Sequence, residues 1–300
     1  MSVGPRPRWS LAEGHLAQLV GQPPAVPSAA SLAGEGTERP SCTAGQVGCQ
    51  PCPEDCAGYS GPQGMMGIKR PGGFAELVCV PACATVDVPA GLGFRDAAVV
   101  MRHVPTAWNL LCNIAELKQG ETVLVMGAGG NLGTVGIQIA RNVIGATVIA
   151  AAGSDERCEL GRSLGAHHAV NYNTHNIHDE TMRLTGGKGV NVLYDNIANP
   201  KVLPKAFHAI GFDGRLVTAG AHAGPSVTID FSHLYHKRIT IKGQPGYHPP
   251  DVPKCFAAAA AGKVEAQIER ILPLSRAADA HRLVESRESL GKIVLDPTRG

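Results

Sequence analysis

No stretch of this chain holds the roughly 20 consecutive apolar residues that a bilayer-spanning helix needs, so a transmembrane protein is not expected. The opening residues, MSVGPRPRWSLAEGHLAQLV, carry arginines but no sustained apolar core of a secretory signal, which predicts a cytoplasmic location. An excess of one charge is also missing. The 27 basic residues are dispersed among 25 acidic ones, and the formal net charge is +2. That leaves no dense basic stripe for gripping phosphates, so neither nucleic acid nor a membrane surface is expected as a partner. There is no G-x-S-x-G nucleophile elbow, no Walker loop and no internal repeat.

What is present is the composition of a folded protein, 44% hydrophobic and 17% charged over 300 residues, long enough for two domains with their own cores. The nine cysteines fall into two groups. Cys79, Cys83, Cys112, Cys158 and Cys255 stand singly in strand-like or helix-like stretches and read as buried thiols of a reducing compartment. Cys42, Cys49, Cys52 and Cys56 crowd together with spacings of x6, x2 and x3. Four thiolates at such spacings either close a tetrahedral structural zinc site or remain as free thiols. A thioredoxin-like role is not supported, because CQPC does not open a helix after a strand.

Along the chain, residues 1–41 are rich in Pro, Ala, Gly and Ser and read as a loose arm outside any core. From residue 72 the texture changes. FAELVCV (74–80) and ACATVDVP (82–89) read as strands, and FRDAAVVMRHVPTAWNLLCNIAEL (94–117) has helical spacing interrupted at Pro105. Six strand candidates follow, ETVLVMG, ATVIAAA, HAVNY, VNVLYDNI, GRLVTAG and RITIKGQ, with helical spacing between most of them. That alternation predicts an α/β doubly wound parallel sheet. The remainder reads as helix (VPKCFAAAAAGK), strand (IERILPL), helix (SRAADAHRLVESRE) and strand (GKIVLDP).

The stretch VLVMGAGGNLGTVGIQIA (123–140) places four glycines at a strand-to-helix turn. Glycines there let the backbone approach a pyrophosphate, and the helix amino end offers unpaired N–H groups and a positive dipole. Gly127, Gly129 and Gly130 fall at the turn and Gly133 in the first helical turn, where its missing side chain permits close helix–strand packing. A strict G-x-G-x-x-G fails at Leu132; Gly127, Gly130 and Gly133 fit G-x-x-G-x-x-G, and Ala128, Gly130 and Gly133 fit an alanine variant. An acidic residue at the end of the next strand would select NAD(H), but the expected place, 152–154, has none. Ser154 and Arg157 suit a 2′-phosphate, so NADP(H) is favoured over NAD(H); Asp155, one step beyond, reads as charge at a helix amino end. His167 and His168 follow a helix carboxy end, where imidazolium is electrostatically comfortable.

Several stretches in one order carry a family resemblance: PGGFAELVCVPA (71–82), PTAWNLL (105–111), the glycine turn, GATVIAAAGSDER, LGAHHAVNY, TGGKGVNVLYD, GRLVTAGA and AADAHRLVESRESLGKIVL (277–295). Together they resemble the medium-chain dehydrogenase/reductase superfamily, zinc-type alcohol dehydrogenases and their quinone-reductase relatives, from about Gly64 to Pro297. The resemblance implies a Rossmann cofactor domain over 101–245. Cysteine-bearing residues 42–100 and the carboxy-terminal 246–300 would then be pieces of an incomplete GroES-like, β-rich catalytic domain. It places Thr106 by the nicotinamide and Gly127, Gly130, Asn131, Leu132 and Gly133 by the pyrophosphate. Ser154 and Arg157 would lie by the adenosine ribose, Asn196 with Ile197 and Ala219, Gly220 and Ala221 along the nicotinamide pocket, and Lys292 at a phosphate.

Two features depart from the zinc-dependent branch. No Gly-His-Glu is present, and Gly14-His15 lies in the loose arm. The family's third zinc ligand lies four residues before the threonine of PTAW, where this chain has Arg102, which cannot coordinate a metal, with His103 beside it. A catalytic zinc is therefore not expected. The leading expectation is an NAD(P)(H)-dependent oxidoreductase moving hydride to a small carbonyl, enone or quinone, with no catalytic acid identified. The rivals are a non-catalytic dinucleotide binder or truncated product, and a zinc-dependent alcohol dehydrogenase. A homodimer through the edge strand near RITIKG would suit the family.

Overall fold

A computed structural model of the chain describes residues 16–17, 72–78, 85–286 and 289–299. After a two-residue strand β1 (Leu16–Ala17), a long helix α1 (Phe94–Trp108) leads through a π-helical segment, Asn109–Ile114, into the first strand of the main sheet, β2 (Thr122–Met126). Strands and helices then alternate as the sequence predicts. Helix α2 (Asn131–Gln138, with π turns to Ile144) precedes β3 (Thr147–Ala152), and α3 (Asp155–Ser163) precedes β4 (His168–Asn171). Helix α4 (Ile177–Leu184) is followed by β5 (Val190–Asp195), α5 (Leu203–His208) and β6 (Ile210–Thr218). Helix α6 (Phe231–His236) leads to β7 (Thr240–Gly243).

The six strands β2 to β7 form one parallel sheet in the order β4-β3-β2-β5-β6-β7, a Rossmann-like doubly wound arrangement. The chain starts in the middle at β2, winds to one edge, then returns to β5 and winds to the other, so a crevice opens between β2 and β5. The central strands are apolar on both faces because helices cover both, and VLVM, VIAAA and VLYD are buried throughout.

Beyond the sheet come α7 (Val252–Ala260), β8 (Ile268–Pro273), α8 (Ala277–Glu285) and β9 (Lys292–Asp296). Strand β9 is the centre of a second, parallel sheet ordered β1-β9-β8. Two residues of the arm read as loose therefore pair along β9, Leu16 with Ile293 and Ala17 with Val294. Buried Gln138 ties the carboxy-terminal segment to α2: its amide donates to Glu265 O (3.2 Å) and its carbonyl accepts from Glu265 N–H (2.7 Å).

Three expectations are corrected. Residues 74–78 of the predicted strand FAELVCV form no ladder with any described residue, and Leu77 and Val78 are exposed; alternation in a sequence does not by itself make a strand. Pro105 does not interrupt α1. It removes one N–H, but Val104, Pro105, Thr106 and Ala107 are all buried, and that packing offsets the roughly 3 kcal/mol a mid-helix proline costs. His167 is not a comfortable imidazolium: its Nδ1 accepts the Val148 N–H at 3.0 Å, which requires the neutral ring. Burial first, then the charges of Arg141 and His168, lower its pKa.

Candidate functional site

The site is built at the carboxyl ends of β2, β3, β5 and β6. At the end of β2 the chain turns at Gly127, whose φ of +72° is left-handed, and the Gly130 N–H donates to Gly127 O at 2.8 Å. Helix α2 begins after Gly130, so the N–H groups at its start have no acceptor within the helix. Gly133 is required by contact: a Cβ there would lie 2.1 Å from Gly127 O. Tyr194 of β5, fully buried, packs against Gly136, and its hydroxyl donates to Leu132 O at 3.1 Å. Asn131, Leu132 and Gly133 are thus fixed between strand and helix, and this apolar burial raises the Tyr194 pKa.

At the end of β3, Ser154 is the N-cap of α3, its Oγ accepting the Arg157 N–H at 3.4 Å. Asp155 accepts from Asn171 Nδ2 at 2.8 Å and lies in the first turn of α3, as a helix-end charge should. The Arg157 side chain crosses the glycine turn, where a Cβ at Gly129 would fall 2.6 Å from Arg157 Cγ. The predicted phosphate-side residues thus come together.

At the end of β5, Asp195 is buried and accepts the Ala198 N–H at 2.9 Å. Burial raises its pKa, against the Ala198 and Ile197 N–H groups and the nearby His222. Asn196 is buried, and Ile197 lies over Gly127. The β5 and β6 ends are joined by Ala223 N–H to Ile197 O at 2.8 Å, and a Cβ on Gly220 would lie 2.8 Å from Asn196 O. This brings Asn196 together with Ala219, Gly220 and Ala221. Thr106 is buried on α1, which packs against α2. Lys292 opens β9 in the second sheet and is 2% exposed; burial first, then the Arg102 charge, hold its ammonium well below the usual lysine range.

Asp195 and Tyr194 were not singled out by motif. The signal was there in LYDN, where a phenol and a carboxylate follow the apolar pair Val192 and Leu193 at the end of a strand. Cys42, Cys49, Cys52, Cys56 and His15 lie outside the described residues. Among the described residues no three His, Cys, Asp or Glu side chains converge where a metal could sit, and no helix is long and apolar enough to cross a membrane.

With this geometry in place, comparison with known proteins is informative. The profile of the zinc-binding dehydrogenase family matches residues 131–261. Quinone oxidoreductase-like protein 2 of Bos taurus is 30% identical over 240 residues, spanning 77% of this chain and 68% of that protein. A 2-haloacrylate reductase of a Burkholderia species is 32% identical over 245 residues, spanning 75% of this chain and 71% of that one. Among solved structures, an NAD-dependent alcohol dehydrogenase superposes with a TM-score of 0.74 at 32% identity, covering 83% of this chain and 73% of the other.

Proposed function

The chain belongs to the medium-chain dehydrogenase/reductase superfamily, and from that premise we propose that it is an NADP(H)-dependent oxidoreductase acting on the carbonyl, enone or quinone of a small molecule. One observation carries the cofactor half of this reading. The turn from Gly127 to Gly133 is a cradle that a single Cβ would fill, and it opens onto the amino end of α2 in the crevice between β2 and β5. Residues 130–133 would hold the pyrophosphate through backbone N–H groups, whereas Lys292, buried in the second sheet with its pKa depressed, would not supply a cation there. Asn196 and residues 219–221 would form the wall beside the nicotinamide ring, with Thr106 opposite.

Ala152 at the end of β3 and Gly153 and Ser154 after it carry no carboxylate, while Arg157 lies over the glycine turn. This supports a 2′-phosphate in preference to a bare ribose hydroxyl. When bound, the nicotinamide supplies or takes up a hydride. The chain's own contribution is to bind, orient and exclude water, and polarisation of the acceptor falls to hydrogen bonds. The quinone oxidoreductase-like and 2-haloacrylate reductase relatives support a small, electron-poor acceptor.

The test is a titration with NADPH and NADH followed by nicotinamide fluorescence. Saturable binding, tighter for NADPH, is expected; no binding of either at millimolar concentration removes the reading. A second reading, a dinucleotide binder without turnover, draws on residues 72–78, which join no ladder among the described residues and expose Leu77 and Val78. Turnover of quinone and aldehyde panels with NADPH separates the two.

A further inference from the structure

The main sheet has two edges, and β4 is one of them: among the described residues it pairs with β3 alone. The helices before and after β4 cover opposite faces of the sheet. Cys158 of α3 shares a core with Val123 and Val125, whereas Ile177 of α4 shares one with Leu124 and Met126, the alternate residues of β2 that point the other way. The outer edge of β4 therefore runs along the bottom of a groove with one helix on each wall. That groove encloses about 560 Å³, within the size range of ligand clefts. Its floor is Ala169, Val170 and Asn171.

The walls are acidic. Asp155, Glu156 and Glu159 line the α3 side and Glu180 the α4 side, against one arginine, Arg162, and one histidine, His175. Glu159 is paired with Arg162 and Glu180 with Arg183, each at 2.8 Å, while Asp155 accepts from the Asn171 amide. Glu156 is exposed and enters no ion pair with any described residue. The groove thus carries carboxylate charge that its own cations leave unbalanced.

An open strand edge presents backbone N–H and C=O groups with which a further strand can pair. The turn after β4 uses Asn171 O, which accepts from the Thr174 and His175 N–H groups, and Arg162 reaches Ala169 O only at 3.4 Å. The stretch from His168 to Val170 is left for pairing. A second copy of this chain is a poor occupant, because two β4 edges paired about a two-fold axis would set these carboxylates against one another.

We propose that this groove docks an extended, lysine- or arginine-rich segment of a partner protein, which adds to β4 as a further strand with its cations against the α3 wall. Successive side chains of a strand point to opposite faces, so cations at every second residue would all face the wall that holds three of the four carboxylates. The site lies at the sheet edge and not in the crevice between β2 and β5, so it stands apart from the coenzyme reading.

The experiment is fluorescence-anisotropy titration of the full chain at low ionic strength with the labelled peptides KVRVKV and EVEVEV. The basic peptide is expected to bind about 10- to 100-fold more tightly than the acidic one. N-methylating KVRVKV at alternate residues keeps its charge but removes main-chain donors, and should weaken it about 10-fold. Spermine, a cation that cannot form a strand, should compete poorly. The charge reversal E156K/E159K should abolish the preference for the basic peptide. No binding of KVRVKV, equal binding of the two peptides, or a double variant that keeps the preference would overturn the proposal. So would a methylated peptide as tight as its parent or spermine competing on equal terms, because the groove would then hold cations without pairing a strand.

Discussion

A methyl group at position 133 has nowhere to go. The obstruction is backbone, Gly127 O at 2.1 Å, and not a flexible side chain, so it cannot be relieved by rotation. Gly133→Ala is expected to destabilise the protein by about 1–3 kcal/mol in urea unfolding and to abolish dinucleotide binding, because the turn must open. His167 makes a second prediction at this scale. Its ring is held neutral by the Val148 N–H, so its pKa in the folded state lies below the ordinary 6.5 of the unfolded chain. Below pH 6.5 the unfolded chain takes up the proton first, so this contribution is intact above that pH and falls as pH drops toward the folded-state value. Urea midpoints at pH 7.5 and 5.5 should differ less in His167→Gln than in the wild type. An equal difference in both would remove this account.

At the scale of elements, α2 with its π turns is joined to the segment before β8 by two side chains, Gln138 and Asn142. Gln138 is buried and makes reciprocal hydrogen bonds to the backbone of Glu265. Replacing it with leucine leaves a backbone donor and acceptor partly buried without partners. Gln138→Leu is expected to cost about 1–3 kcal/mol, read as a lowered urea midpoint with an unchanged slope.

Most elements were legible in the sequence for a simple reason. Strands buried on both faces read as short apolar runs, VLVM and VIAAA among them, and the helices between them carry their own caps, such as Ser154 and Asn176. What was not legible depends on contacts distant in sequence. Pro105 reads as a break because the burial that sustains α1 around it comes from other elements. FAELVCV reads as a strand because alternation says nothing about a partner. Within the site, the glycine turn announced itself locally, whereas the close approach of Gly220 to Asn196 required the ends of β5 and β6 to be brought side by side.

For the whole molecule, the edge of the main sheet is the feature with consequences. All four residues of β7 are exposed, and Ile241 on that strand is accompanied by exposed Phe212, Phe231 and Tyr235. An edge strand with free N–H and C=O groups and apolar neighbours is a template for pairing with a second copy. We propose a homodimer through β7. Sedimentation should give a dimer mass for the wild type and a monomer for Ile241→Lys, and a wild-type monomer at micromolar concentration would remove this reading.

Ser154 caps α3 two residues past the end of β3, at the place where, on the proposed reading, the coenzyme's ribose would be met. Aspartate caps a helix as well as serine does, so the residue that would favour a ribose hydroxyl over a phosphate is also one the fold accepts there. The glycine turn, which the proposal makes a phosphate cradle, is locked by Gly133 against Gly127, whereas the proposed ribose end depends on a position where two residue types satisfy the same backbone. On that reading, coenzyme preference in this scaffold is free to drift by single steps, without passing through an unfolded intermediate.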